Sequence, residues 1–339
     1  MSDSPIDTPD QQQNDRWAVI HKFRTIGDAI FHMHAIHAIA AVAPRCRITL
    51  AMPGPIPAAD LFVDDPAIEK VIFISRNAYF KGRIKNISIL KQEHFRRVWI
   101  LGESTSYAFT ALFAGVKERL GYGYSLAQRT ALTHHLQRPM PWPIPVGVAE
   151  ASWAFLDTYG IARLPNGQKP VFSPERLQQA YQQYVSLPRP WISFGIGARE
   201  ARRLWPNTHW CSLAEGLLQQ WGPGTLFLCG GEQDRDKARY ITDFLGKKST
   251  VVHVIGNPLS VVASIFQHTN VFIGNDSGLF NLAGAIGSCP VIGLFGASPV
   301  LTYLPHALFV VPPDGAISSM QALTPAYVLQ KVLQYCQSV

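Results

Sequence analysis

The chain has 339 residues, 47% of them hydrophobic and only 16% charged: enough apolar material for two packed domains and too little charge for a largely disordered protein. Its formal charge of +7 favours anionic partners without choosing among nucleotides, lipids and nucleic acid. Apart from small groups at 81–91 and 199–203 the basic residues are scattered. No zinc finger, RNP-type aromatic strand or long basic helix accompanies them, so nucleic acid is not an expected partner.

Residues 1–16, rich in Asp, Gln and Pro, read as a mobile tail without the basic start and apolar core of a signal peptide. No uninterrupted apolar run approaches the roughly 18 residues that span a bilayer. The expected location is therefore cytoplasmic, with peripheral contact to a membrane surface left open. Cys46, Cys211, Cys229, Cys289 and Cys336 lie far apart without a CxxC pair. They indicate neither a zinc site nor a disulfide framework, and reduced, buried thiols are expected.

An apolar strand at 17–21 leads through a loop to a helix predicted over 28–43, which Pro44 ends before a strand at 47–52. Further strands are read at 71–75, 97–101 and 118–120. The basic run 79–91 reads as a loop entering a helix, either a solvated face or a contact with an anionic acceptor or lipid. Residues 121–145, with many aromatics, prolines and histidines and little periodicity, read as a variable loop. A helix at 150–159 closes a first domain over 17–160. The proline-rich tract 161–190 is taken as a linker, although 174–185 can itself be helical. A second domain over 191–320 repeats a βα rhythm. Its strands are read at 191–194, 225–229, 251–254, 271–274 and 290–295, and its helices at 208–220, 232–245, 259–267 and 277–286. Such alternation implies parallel sheets with right-handed crossovers, an α/β protein. A last amphipathic helix is read at 325–337.

His32, His34 and His37 ride on the first helix, and only His34 and His37 have the spacing of a shared face. No further ligands accompany them, so polar lining of an interdomain cleft is preferred to a metal site.

The run V-F-I-G-N-D-S-G-L-F-N-L-A-G-A-I-G-S-C-P-V-I-G-L-F-G, residues 271–296, sets two apolar strands around a short helix. Asp276, Ser277 and Gly278 occupy the strand-to-helix corner, where free N–H groups and the helix dipole favour an anion. Their plainer role is to cap the helix. The strand at 191–194 is followed by G-I-G-A-R-E-A-R-R-L-W-P, in which Arg203 is the first candidate for a phosphate contact and Arg199 and Arg202 are second choices. Gly230-Gly231-Glu232 ends the next strand with a carboxylate that can accept from ribose hydroxyls or favour a helix start. Asp234-Arg235-Asp236 superficially mimics a D-x-D metal motif, but acids in a first helical turn are ordinary, and no metal or cofactor is expected.

Residues 276–296 resemble the D-[ST]-G-x-x-H-x-A-x-A-x-G-x-P-x-x-x-L-F-G signature of the ADP-heptose:lipopolysaccharide heptosyltransferases, glycosyltransferase family 9. Asn281 stands at the signature His, and one extra residue, Cys289, precedes Pro290. K-F-R-T-I-G-D, residues 22–28, is similar to the family's amino-terminal S-x-G-D, with Asp28 at its aspartate. Arg203, two residues before Trp205-Pro206, takes the place of the family's phosphate-side Lys. The resemblance implies a GT-B fold, two Rossmann-like lobes facing an interdomain cleft, with the acceptor on the first and the nucleotide sugar on the second. Residues 321–339 would then pack towards the amino-terminal domain. It implies an inverting, metal-independent transfer of a heptose from ADP-heptose to a glycan or glycolipid acceptor in lipopolysaccharide core assembly, at the inner membrane. Asp28 would be the base, with Arg203, Glu232, Asp276, Ser277, Gly278 and Asn281 holding the donor. Asn281 keeps open a second reading, a catalytically reduced sugar-nucleotide-binding protein with a scaffolding or regulatory role.

Overall fold

The computed structural model describes residues 15–22, 24–76, 80–136, 148–164, 169–300, 304, 306–315 and 317–338, and the chain divides between residues 171 and 172 into two units. In the first, β1 (Trp17–His21), β2 (Ile48–Pro53), β3 (Ile68–Ile74), β4 (Arg97–Leu101), β5 (Glu118–Gly121) and β6 (His134–His135) form one parallel sheet in the order β3-β2-β1-β4-β5-β6. Its helices are α1 (Ile26–Val42), α2 (Phe80–Gln92), α3 (Thr105–Phe113), α4 (Leu126–Ala131) and α5 (Val148–Thr158). Ala18, Val19 and Ile20 are all buried, as continuous apolar runs are in a sheet covered on both faces. The chain winds outward from β1 to β3 and then returns to lay β4 on the other side of β1. That reversal makes the carboxyl ends of β1 and β4 the topological switch point.

Three local expectations need correction. The tract 121–145 contains α4 and β6, and its residues from 137 onward lie outside those described. Ser125 caps α4 by accepting from Gln128 N at 3.1 Å, while Gln128 Oε1 accepts from Tyr124 N at 3.0 Å. A six-residue helix held by such a reciprocal cap leaves no periodic trace in sequence. The histidines of α1 face the interior of their own unit: His32 and His34 are buried, and the His34 ring meets Trp153 of α5 edge-on. Burial pushes both imidazoles down to about 4. His37 Nε2 lies 2.6 Å from Asp65 Oδ2. Cys46 is exposed, in the turn that follows α1, whereas Cys211 and Cys229 are buried as expected.

The second unit repeats the plan. Its strands β7 (Trp191–Gly195), β8 (Thr225–Gly230), β9 (Thr250–Ile255), β10 (Val271–Asn275), β11 (Val291–Leu294) and β12 (Ala307–Val310) are parallel in the order β12-β11-β10-β7-β8-β9. Its helices are α6 (Pro174–Gln182), α7 (Asn207–Trp221), α8 (Arg235–Leu245), α9 (Leu259–His268), α10 (Gly278–Ile286) and α11 (Pro325–Ser338). Within the tract read as a linker, α6 is tied to α9: Arg176 donates to Ser260 Oγ at 3.0 Å and Ser264 Oγ donates to Leu177 O at 2.8 Å. The buried face of α11, Val328 and Val332, joins the second unit's core. Gly216 on α7 leaves the notch for it, since a Cβ there would come within 2.6 Å of Leu329. Among the described residues, no helix is long and apolar enough to cross a membrane.

Candidate functional site

In the second sheet β7 is followed by β8 and β9 on one side, and the chain then crosses back to place β10 on the other. The switch point is therefore at the carboxyl ends of β7 and β10, where ligands of open α/β sheets bind. Asn275, the last residue of β10, is fully buried there. Its Nδ2 donates to Ile196 O at 2.9 Å and its Oδ1 accepts from Trp205 N at 3.1 Å. Both ends of the 196–205 loop thus hang from one side chain. Two more bonds hold the same loop: Trp205 Nε1 donates to Leu323 O at 2.8 Å, and Lys237 Nζ donates to Ile196 O at 2.9 Å.

This anchoring sets Arg203 beside Asp276. Arg203 Nη1 lies 3.0 Å from Asp276 Oδ2, and its Nη2 lies 3.0 Å from Glu200 Oε1. Asp276 is only 5% exposed, and the same Oδ2 accepts from Ser298 Oγ at 2.6 Å. A buried carboxylate requires such partners to remain charged. Arg203 Nε and Ser277 Oγ are buried without a hydrogen-bond partner among the described residues. Ser277 is the N-cap residue of α10 in extended conformation, but its hydroxyl makes no capping bond, so side-chain capping is not its role here. The helix start keeps its N–H groups and positive dipole end available beside a guanidinium, a setting suited to a phosphate. Gly278 begins the helix, and Asn281, one turn in, is buried.

The remaining candidates are dispersed. Arg202 is exposed, donates to Glu200 Oε2 at 2.7 Å and reaches Ala297 O, and Arg199 is exposed on the same loop. Glu200, which sequence reading did not single out, spans both Arg202 and Arg203, and they hold its carboxyl below the usual carboxylate range. Glu232 lies past the end of β8, pairs with Arg235 at 2.5 Å and rests over Gly256, whose φ of +70° and lack of a Cβ leave room for the carboxylate. Asp234 is buried, and its Oδ2 accepts from Gly231 N at 3.0 Å, so this acid of the D-x-D run serves the backbone. Among the described residues no group of His, Cys, Asp and Glu is placed to hold a metal ion.

In the first unit Asp28 occupies the first turn of α1, beyond the carboxyl end of β1. Thr25 Oγ1 caps the helix by accepting from Asp28 N at 3.0 Å and donates to Asp28 Oδ2 at 2.6 Å. One rotamer thereby fixes both the helix start and one carboxylate oxygen. His32 Nδ1 donates to Asp28 O at 2.8 Å, and Lys22 pairs with Glu103 at 2.7 Å across the ends of β1 and β4.

The model of glycosyltransferase family 9 (heptosyltransferase) matches residues 83–307, about two thirds of the sequence. The chain belongs to glycosyltransferase family 9. The matched span includes Arg203, Glu232 and 276–281 and begins after Asp28. Lipopolysaccharide heptosyltransferase 2 of Escherichia coli (strain K12) is 26% identical over 222 residues, and that of Salmonella typhimurium 25%. Each match spans 62% of this chain and 62% of the relative. Among solved structures, ADP-heptose lps heptosyltransferase II of E. coli superposes with a TM-score of 0.76 at 21% identity, covering 95% of this chain and 99% of that one. A family 9 glycosyl transferase from Veillonella parvula gives 0.79 at 15% identity, over 96% and 98% of the two chains. An E. coli heptosyltransferase solved with ADP-2-deoxy-2-fluoro heptose gives 0.70 at 16%, over 94% and 99%. The family 9 member therefore has the GT-B type of α/β fold, two parallel six-stranded sheets clothed by helices.

Proposed function

We propose that this family member is an inverting glycosyltransferase that moves a heptose from ADP-heptose to a hydroxyl of a glycan or glycolipid acceptor in lipopolysaccharide core assembly. The observation that carries the reading is the Arg203–Asp276 pair beside the uncapped start of α10, at the switch point of the second sheet. The second unit is the donor side in this reading, with the diphosphate on Arg203 and the Ser277 and Gly278 backbone, and ribose hydroxyls on Glu232. As the bond from the anomeric carbon to the diphosphate breaks, ADP leaves with the electron pair, and the charge growing on it meets groups already in place. The acceptor oxygen forms its new bond to that carbon from the opposite face and passes its proton to Asp28. Thr25 Oγ1, donating to Asp28 Oδ2 at 2.6 Å, holds the carboxylate in one orientation for that transfer. Asn281 offers a neutral hydrogen bond where the family signature has a titratable His.

The test is turnover: purified protein with ADP-heptose and a heptose-deficient core glycolipid, with ADP release and acceptor mass read together. One heptose added per ADP released supports the transferase. ADP binding without transfer to any acceptor supports the second reading, a sugar-nucleotide-binding protein, which Asn281 at the position of the signature His keeps open.

A further inference from the structure

Helix α2 presents to solvent a face that its own packing does not require. Gly82, Asn86 and Leu90, spaced four apart, form the buried stripe. Asn86 Oδ1 accepts from Ser75 N and its Nδ2 donates to Ser75 O, each at 2.7 Å, which fixes the way the helix is turned. The opposite stripe carries Phe80, 78% exposed, and Ile84, 51% exposed, one turn apart. Exposed Lys81, Lys85 and Lys91 flank them, and α2 contains no acidic residue. A helix serving only the core would turn polar residues outward. Large apolar side chains set among lysines instead match an interfacial helix, whose apolar groups enter the headgroup–acyl boundary while its lysines meet lipid phosphates. Helix α2 starts from the carboxyl edge of the first sheet, the edge at which Thr25 and Asp28 stand. The net charge of +7 adds long-range attraction to an anionic surface.

We propose that the Phe80/Ile84 face of α2 docks the protein onto an anionic lipid bilayer. The inference rests on exposure and charge in the first unit and not on the transferase reading, and the vesicles that test it contain neither donor nor acceptor. The full chain is floated with vesicles of phosphatidylcholine alone or with added phosphatidylglycerol. Binding to the anionic vesicles only, weakening as salt rises, is expected. Lys81→Glu with Lys85→Glu should lower partitioning at least about tenfold, since one basic residue at the surface is worth about fivefold. Phe80→Ser with Ile84→Ser should also lower it about tenfold with every charge kept, while Phe80→Leu retains binding. These side chains are exposed, and circular dichroism checks that each variant is folded. Equal binding to neutral vesicles, or unchanged partitioning of the Phe80→Ser/Ile84→Ser chain, would overturn the proposal. So would a dimer in solution that the same pair of substitutions dissolves, because a second copy would then cover the face.

Discussion

Replacing Asn275 by Ala tests whether one buried side chain holds the phosphate-side loop. The change deletes two hydrogen bonds, to Ile196 O and from Trp205 N. Ile196 O keeps Lys237 as a donor, but the buried Trp205 N–H is left without its acceptor. Two bonds at about 1 kcal/mol each, plus about 1–2 kcal/mol for an orphaned buried donor, give a loss of roughly 3–4 kcal/mol. At about 2–4 °C per kcal/mol for a unit of this size, melting should fall by roughly 5–15 °C. Calorimetric titration with ADP at a temperature where the variant is folded should show affinity reduced by roughly tenfold, because Arg203 hangs from the same loop. Scanning calorimetry reads the first effect and isothermal titration the second. Melting within about a degree of the parent would refute the stability reasoning. Lost stability with unchanged ADP affinity would show that Arg203 is positioned by other contacts.

Arg203→Ala should weaken ADP binding by about 1.5–3 kcal/mol, the worth of a hydrogen bond to a charged group, and unchanged affinity in a folded variant would move the diphosphate elsewhere. Asp28→Asn keeps the helix start, since Thr25 supplies the cap and an Asn amide oxygen can still accept from Thr25 Oγ1, and should cut turnover by roughly 100-fold or more with ADP affinity nearly constant. Near-normal transfer by that variant would end the assignment of the base. The third expectation concerns pH. His32 and His34 are held neutral, at about 4 in the folded chain against 6.5 unfolded, so the unfolded state binds more protons in between. Stability of the first unit should be complete above about pH 6.5 and fall by up to roughly 3 kcal/mol per histidine as pH drops towards 4. Melts across that range should show the slope, and His32→Gln with His34→Gln should flatten it; an unaltered slope would mean that other groups carry the titration.

Local sequence determined the elements and the chemistry of single positions. Alternation of apolar runs with 3.6-periodic segments specifies a strand or helix from neighbours a few residues apart, which is why β1, β7, β10 and the helices after them are legible. The corner at Asp276–Gly278 and the basic loop ending in Trp205-Pro206 are legible for the same reason, since both residue type and spacing are local. Which partners those residues meet is decided by pairing across long separations. Asn275 reads as an unremarkable strand end until the return of the chain to β7 places it against Ile196 and Trp205. Glu200 looks like one acid among arginines until the loop turns it onto both Arg202 and Arg203. The histidines of α1 could face a cleft or a core by spacing alone, and the packing of α5 against α1 settled His34 on Trp153. The last helix follows the same logic: its amphipathic pattern says that one stripe is buried, while the missing Cβ of Gly216 decides against what. Secondary structure follows from short-range sterics and periodicity, whereas a site is assembled by sheet order, which no window of sequence contains.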